Sequence, residues 1–411
     1  MRHRASVSLL VLLLAFLLTS CLATTISAPV ESQRMPTGSP VSTEILNKPS
    51  STVVQAASQT PTVHPTLEPS ATATPGNIGA ITYVSRRDGR IDIYAVRLAS
   101  GEITQITSDG KSKFDPKWSS DGKLAYLEGK DRFGPLNLMF LTDNLDEPKL
   151  IESFERVWDY GWSPDGKLLA LTAQEARDGP WGLYIFPADL STKSNLLPDY
   201  PYELFGLAWS PNGALIAVQT ALEKKTGLPS DVSINRGILV VGLDGSSQNL
   251  ISRKVPVADS LSWWPTSDQL LFTKYSLTEG QMFAAKLDGS EPSPIKLEGS
   301  AACTDHFYFH AMLAPDGGTL VFTQFEPDPK QDWKLCLAKA DGTQVKQLFA
   351  KEGFTPEIVS WSPTSRVVAF LLFPSSRQSQ TLGELFAIDL KNPEPVLLAK
   401  DIVLSAISWK P

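Results

Sequence analysis

Residues able to do chemistry are scarce in this chain. Four histidines occur in 411 residues, and only His306 and His310 fall in the part expected to fold. They stand in the run Cys303-Thr304-Asp305-His306-Phe307-Tyr308-Phe309-His310. On one extended strand the two imidazoles point to the same side about 13 Å apart, too far to share a metal ion unless the backbone bends. With Asp305 beside them they read either as a metal or acid–base site or as polar residues lining a wet channel. The expectation is no catalytic residue, no resident metal and no cofactor. Nucleophile signatures are missing too: there is no Gly-x-Ser-x-Gly elbow and no phosphate-binding glycine loop. The Ser163, Ser210 and Ser362 hydroxyls have no histidine near them in sequence and belong to turns.

A second group joins carboxylates to aromatic rings: Phe114-Asp115, Trp158-Asp159, Asp259-Ser260 and the lone Glu357. Placed where strands begin around a central opening, such residues line a concave ring, the usual seat of a ligand. Asp115, Trp158, Asp159, Asp259, His306, His310 and Glu357 are therefore the candidate ligand-binding residues. Rings beside carboxylates suit a sugar, a peptide or a cation. The plainer reading has the rings wedging neighbouring sheets apart and the acids solvated.

What must position these residues is a repeat. Trp162-Ser163-Pro164-Asp165-Gly166-Lys167 reads as the end of one strand, a tight turn and the start of the next. Proline presets φ, and aspartate and glycine tolerate the reversal. The pattern recurs from Trp118, Trp209, Trp263, Leu313 and Trp361, and half-finished at Trp409-Lys410-Pro411, at intervals of 44 to 54 residues. After each turn an apolar run of strand length follows, at 124–127, 168–172, 215–219, 270–273, 320–323 and 367–371. A third and a fourth strand come next, often joined by Asp-Gly, as at Asp244-Gly245, Asp288-Gly289 and Asp341-Gly342. Four short strands at that period mean a β-propeller.

Residues 80–84, 91–96 and 102–107 match a second, third and fourth strand without a first. The spare first strand is 405–409, at the other end of the chain. The two fragments are expected to complete one blade. The predicted fold is all-β: a seven-bladed propeller of four-stranded blades, its ring closed by pairing of the N- and C-terminal strands, with the domain at residues 77–411. The turns at Trp263 and Trp361 lack Asp-Gly and are expected to be longer or looser. The recurring Trp118, Trp162, Trp209, Trp361 and Trp409 are assigned to blade packing.

The repeated Trp-Ser-Pro-Asp-Gly-Lys core, with Ile93-Tyr94 and Ser100-Gly101-Glu102-Ile103-Thr104-Gln105-Ile106-Thr107, resembles the TolB-type, or WD-like, propeller repeat. That resemblance speaks for the fold and little for function. The separate α/β domain that precedes the propeller in TolB has no counterpart here, so a role in a Tol–Pal system is not implied. Serine peptidases with propellers carry a hydrolase domain alongside; the chain stops at the closing strand, and none is expected.

The chain ahead of the repeats reads as an address. Arg2, His3 and Arg4 precede a short apolar run, too short to span a bilayer convincingly. Leu18-Thr19-Ser20-Cys21 resembles a bacterial lipobox, which implies a signal peptide of residues 1–20 and acylation of Cys21. Residues 21–76, rich in Ser, Thr and Pro, are expected to form a disordered, lipid-anchored tether. In that oxidising setting Cys303 and Cys336 are a candidate disulfide, although strand counting separates them by a middle strand.

A net charge of −7 gives no basic stripe for nucleic acid. The expected protein is a monomeric, non-enzymatic lipoprotein on the extracytoplasmic face of a bacterial membrane, held there by acylated Cys21. Its propeller would bind or scaffold a protein, peptide or glycan of the envelope. The rival is a metal-dependent polysaccharide-fragment lyase or hydrolase using the histidines; seven-bladed propellers of similar repeat type include pectate-fragment lyases with a metal held by His and Gln.

Overall fold

The computed structural model describes residues 79–87, 89–142, 147–222, 235–256, 258–275, 280–304, 307–326, 332–376 and 381–411. The leader, Cys21, the tether, Asp305 and His306 lie outside the described residues.

Each repeat folds into an antiparallel set of four strands, numbered here in chain order. Set 2 is Ser112–Trp118, Leu124–Gly129, Leu136–Leu141 and Lys149–Phe154; set 3 is Arg156–Trp162, Leu168–Gln174, Trp181–Pro187 and Ser194–Asn195. Set 4 is Leu204–Trp209, Leu215–Ala221, Asn235–Gly242 and Ser247–Pro256; set 5 is Ala258–Trp263, Gln269–Tyr275, Gly280–Lys286 and Ser293–Pro294. Set 6 is Phe307–Leu313, Thr319–Glu326, Asp332–Lys339 and Lys346–Ala350. An eight-stranded sheet holds the rest. Its set 7 is Phe354–Trp361, Val367–Pro374, Gly383–Asp389 and Asn392–Ile402, and its set 1 is Ser408–Lys410, Ala80–Arg87, Arg90–Arg97 and Ile103–Gln105. One bridge, Ser85 to Ile402, links the two. The architecture is that of an all-β propeller. Within set 1 the strand from the far end of the chain is shorter than expected: Thr82, Ile81 and Ala80 pair with Ser408, Trp409 and Lys410.

The core lies between successive sets rather than within any one of them. Second strands such as Leu124–Gly129 and Val367–Pro374 are buried almost throughout, which fits their near-continuous apolar composition. One apolar cluster joins sets 2 and 3 through Phe114, Leu127, Tyr160 and Leu171. Others join 3 to 4, 4 to 5, 5 to 6 and 6 to 7. Ile81, Tyr83 and Trp409 pack with Leu371 and Phe373, joining set 7 to set 1, and Val84 and Ile93 pack with Trp118 and Tyr126, joining 1 to 2.

The recurring tryptophans do more than fill space. Trp162, Trp209, Trp263 and Trp361 each donate their indole N–H to a first-strand carbonyl of the preceding set, at Lys117, Gly161, Ala208 and Met312, over 2.8 to 3.2 Å. Trp118 donates instead to Thr82 Oγ1 at 2.6 Å. Trp409 Nε1 is buried and has no hydrogen-bond partner among the described residues.

The turns at Trp263 and Trp361 are not longer, contrary to the sequence expectation. Ser267 N–H and Ser365 N–H close on Trp264 and Ser362 carbonyls at 2.9 and 3.0 Å, as Gly166 N–H closes on Ser163 at 2.9 Å. Both serines adopt the left-handed conformation glycine would take, with φ of 61° and 56°. Their hydroxyls accept N–H bonds from the turn of the set before, from Asn212 at 3.1 Å and Asp316 at 2.9 Å. That contact offsets the backbone strain. The turn serines are likewise structural in their bonding: Ser163 Oγ donates to Asp165 and accepts from the Leu168 N–H, and Ser210 does the same with Asn212 and Leu215.

Cys303 and Cys336 are bonded, with Cα atoms 6.1 Å apart. The middle strand does not intervene because Cys303 is not on a strand. It sits in a 3-10 turn, Ala301–Cys303, on a connector whose Gly299 bridges Val345 beside the outer strand of set 6. Among the described residues no helix is long and apolar enough to cross a membrane.

Candidate functional site

The register defines two ends for every set. In set 2 Trp118 pairs with Leu124 at the turn end, whereas Ser112, Gly129 and Leu136 align at the leading end. The described candidate residues lie toward the leading end, each in or beside a bulge. Register shifts fall between Phe114 and Lys117, Val157 and Asp159, Ala258 and Leu261, Phe309 and Met312, and Glu357 and Ser360. A bulge inserts a residue and re-aims its side chain. Asp115 and His310 reach positive φ, 48° and 50°, as bulge residues of types that tolerate it.

The structure brings Asp115, Trp158 and Asp159 into one network. Asp115 Oδ1 accepts from Ser405 Oγ and from the Ala406 N–H, both at 3.0 Å, and its own N–H donates to Ser405 Oγ at 2.7 Å. Oδ2 pairs with Arg132 Nε. Arg132 then donates to the Val157 and Trp158 carbonyls, each at 2.7 Å. One guanidinium thus ties set 2 to set 3 while its carboxylate partner ties set 2 to set 1. Burial alone would push the Asp115 carboxyl up; the Arg132 charge, the Ala406 N–H, Lys117 and Ser405 outweigh it and hold the group below the ordinary carboxylate range.

Asp159 makes the equivalent link between sets 2, 3 and 4. Lys117 Nζ donates to its Oδ1 at 2.6 Å, and the Leu207 N–H of set 4 donates to its Oδ2 at 3.1 Å. Lys117 also lies 5.0 Å from the centroid of Tyr160. Tyr160 donates to the carbonyls of Asp115 and Ala125. Both carboxylates are therefore bound within the protein, although Asp159 keeps 28% of its side chain exposed.

Trp158 is different. It is 40% exposed, while most rings of the first strands are buried. Its ring stands edge-to-face on Phe205, 80° between planes and 5.0 Å between centroids. Arg236 lies 4.1 Å over Phe205 and 5.9 Å from the Trp158 centroid, and donates to Gln219 at 3.4 Å. Phe133, next to Arg132, is 60% exposed.

The other candidates sit on other sets. His310 Nδ1 is 3.3 Å from Thr323 Oγ1 in set 6, and its ring meets Phe309 at 6.5 Å. Glu357, half-buried, pairs across to Leu371 in set 7. Asp259 lies in the bulge of set 5. His306 is outside the described residues. Among the described residues no three His, Cys, Asp or Glu side chains are grouped to hold a metal.

Sequence reading missed Arg132, Lys117, Arg236 and Phe205. A signal existed for Lys117: aligning the repeats on their tryptophans puts it in a column with Gly161, Ala208, Ser262, Met312, Ser360 and Ser408, one cation among small or neutral residues. Also missed is a cavity of about 440 Å³ at the turn end, lined by Trp118, Trp162, Trp361 and Trp409 with Lys117 and Ser408.

No protein-family model matches the chain. Over 269 residues it is 24% identical to an uncharacterized protein of Agrobacterium fabrum, covering 63% of this chain and 84% of that one. Among solved structures it resembles the β-propeller domain of the Trilobed protease from Pyrococcus furiosus, with a TM-score of 0.55 and 17% identity over 79% of this chain and 95% of that one. An oligogalacturonate lyase in complex with manganese gives a TM-score of 0.57 at 13% identity, over 79% and 85%. TolB from Acinetobacter baumannii gives 0.48 at 15% identity, over 83% and 69%. The fold is thus shared with β-propeller proteins.

Proposed function

We propose that the protein is a non-enzymatic binding module of the bacterial cell envelope. In this reading the seven sets form a closed ring of seven blades, acylated Cys21 and the tether of residues 21–76 carry the ring on a membrane as a monomer, and a protein, peptide or glycan partner docks at the leading-end mouth. One observation carries it. The mouth's carboxylates Asp115 and Asp159 are spent on joining sets, while the ring of Trp158 beside them stays open to solvent. That arrangement suits recognition better than proton transfer, which needs a titrating group within reach of substrate.

Capture of envelope components by the full-length chain, with and without Trp158→Ala, tests the reading. Loss of the captured partner in the variant supports it; unchanged capture moves the site elsewhere. Metal analysis bears on the lyase alternative: a stoichiometric transition metal that disappears in His310→Ala would replace the binding-module reading with it.

A further inference from the structure

We propose that Trp158 is the stacking platform for an uncharged pyranose ring of a cell-envelope glycan. The inference rests on the binding-module reading and narrows its ligand.

Preorganisation comes first. An exposed indole is useful as a platform only if it does not collapse onto its neighbours or swing freely. Here the bulge between Val157 and Asp159 sets its backbone, and Arg132 holds the carbonyls of Val157 and Trp158 at 2.7 Å. Phe205 supports the ring edge-to-face from one side at 5.0 Å. A rigid ring with few rotamers loses little entropy when a ligand lies on it.

Charge is the second argument. The two carboxylates of the network that includes Trp158 have partners inside the protein: Asp115 with Arg132, Asp159 with Lys117. Arg236 stacks on Phe205 and donates to Gln219. A cationic ligand would meet the Arg236 guanidinium 5.9 Å from the centroid of the same ring. An anionic one would have to draw a cation out of an existing pair. An uncharged ligand faces neither cost.

The surfaces on offer are also mixed. A pyranose presents an apolar C–H face and a rim of hydroxyls that both donate and accept. Asp159, the residue after Trp158, and its partner Lys117 each keep 28% of their side chains exposed, an acceptor and a donor side by side. Phe133, 60% exposed on the residue after Arg132, adds apolar surface for a neighbouring sugar. Apolar face, donor and acceptor without net charge is the complement of a neutral sugar.

Calorimetric titration of the full-length chain with chitohexaose, cellohexaose and maltohexaose, and with hexagalacturonate as the charged comparison, tests this. At least one neutral hexasaccharide is expected to bind with an affinity that does not change between low and high salt. Trp158→Ala should weaken it about tenfold, ~1.4 kcal/mol, while Trp158→Tyr stays within about threefold. Phe133→Ala, at a more exposed position, should weaken it less than Trp158→Ala and guards against misfolding of the first variant. No binding of any neutral sugar, binding indifferent to both alanine variants, or salt-sensitive binding of hexagalacturonate alone would overturn the inference. If Trp158-dependent capture of a protein partner coexists with no sugar binding, the binding-module reading stands and this inference falls. If nothing binds through the mouth, both fall.

Discussion

Replacing Asp115 should loosen the Ser408–Lys410 strand of set 1 more than its place at the leading end of set 2 suggests. The carboxylate accepts from Ser405 Oγ and the Ala406 N–H at 3.0 Å and pairs with Arg132, whose side chain is 24% exposed. Hydrogen bonds to a charged group contribute about 1.5–3 kcal/mol each, and stranding a half-buried guanidinium costs less than stranding a buried one. An alanine must also adopt φ near 48°, which costs about 1–2 kcal/mol. Since these contributions overlap, Asp115→Ala should destabilise by ~3–5 kcal/mol. Asp115→Asn tolerates the same backbone and keeps a carbonyl for Ser405 and Ala406, but its NH2 faces the Arg132 Nε–H, so the charge and that hydrogen bond are both lost, for about 1.5–3 kcal/mol. Urea unfolding gives the totals, and amide exchange at residues 408–410 locates the effect. The pH dependence has a definite sign. A carboxyl held below its ordinary value contributes stability that is full above the unfolded value of about 3.9 and is lost as pH falls through the lower folded value. The gap between wild type and Asp115→Asn should therefore be constant at neutral pH and close as the solution is acidified below about 4. Equal stability of Asp115→Ala and wild type, or a gap that widens in acid, would show that the Asp115 carboxylate does not hold this strand.

Two further predictions concern the scaffold. Removing the Cys303–Cys336 bond by a double serine substitution frees a loop with a sequence separation of 33 and should cost about 3–4 kcal/mol, read as a lowered melting temperature and checked by thiol alkylation of the denatured wild type. Trp162→Phe leaves the Lys117 carbonyl without the indole that donates to it at 3.0 Å, whereas Trp409→Phe deletes a buried N–H that bonds to no described residue. In chemical denaturation the first should cost about 1–2 kcal/mol more than the second; an equal or reversed order would show that the indole bonds between sets add nothing.

The periodic portion of this molecule was legible because it is local. A tryptophan, a turn and an apolar run lie within ten residues, and their order alone placed the strands at Leu168–Gln174 and Leu215–Ala221. Even the split set at the two ends of the chain could be read from what each fragment lacked. What sequence concealed depends on contacts between sets. Nothing near Arg132 says that it will reach Trp158, and nothing near Lys117 says that Asp159 waits 42 residues on. Asp159 looked free because its counter-charge, Lys117, belongs to another repeat, and Asp115 because Arg132 reaches it from a loop beyond the next strand of its own repeat. Ser267 and Ser365 looked like poor turn formers because the N–H groups that reward their hydroxyls come from Asn212 and Asp316, each in the turn of the set before. The Cys303–Cys336 pairing stayed open in the sequence because the short 3-10 turn that carries Cys303 leaves no periodic trace.

The pairing of Ala80–Lys410, Ile81–Trp409 and Thr82–Ser408 also sets a timetable. During synthesis Ala80–Arg87 is made early, yet the backbone groups along its inner side have no partner until more than three hundred further residues have been joined. Contacts so distant in sequence form slowly, and an unpaired strand edge is an invitation to other chains in the meantime. The newborn protein must therefore survive a long interval with that strand edge bare, most exposed to aggregation just before residues 408–410 are joined.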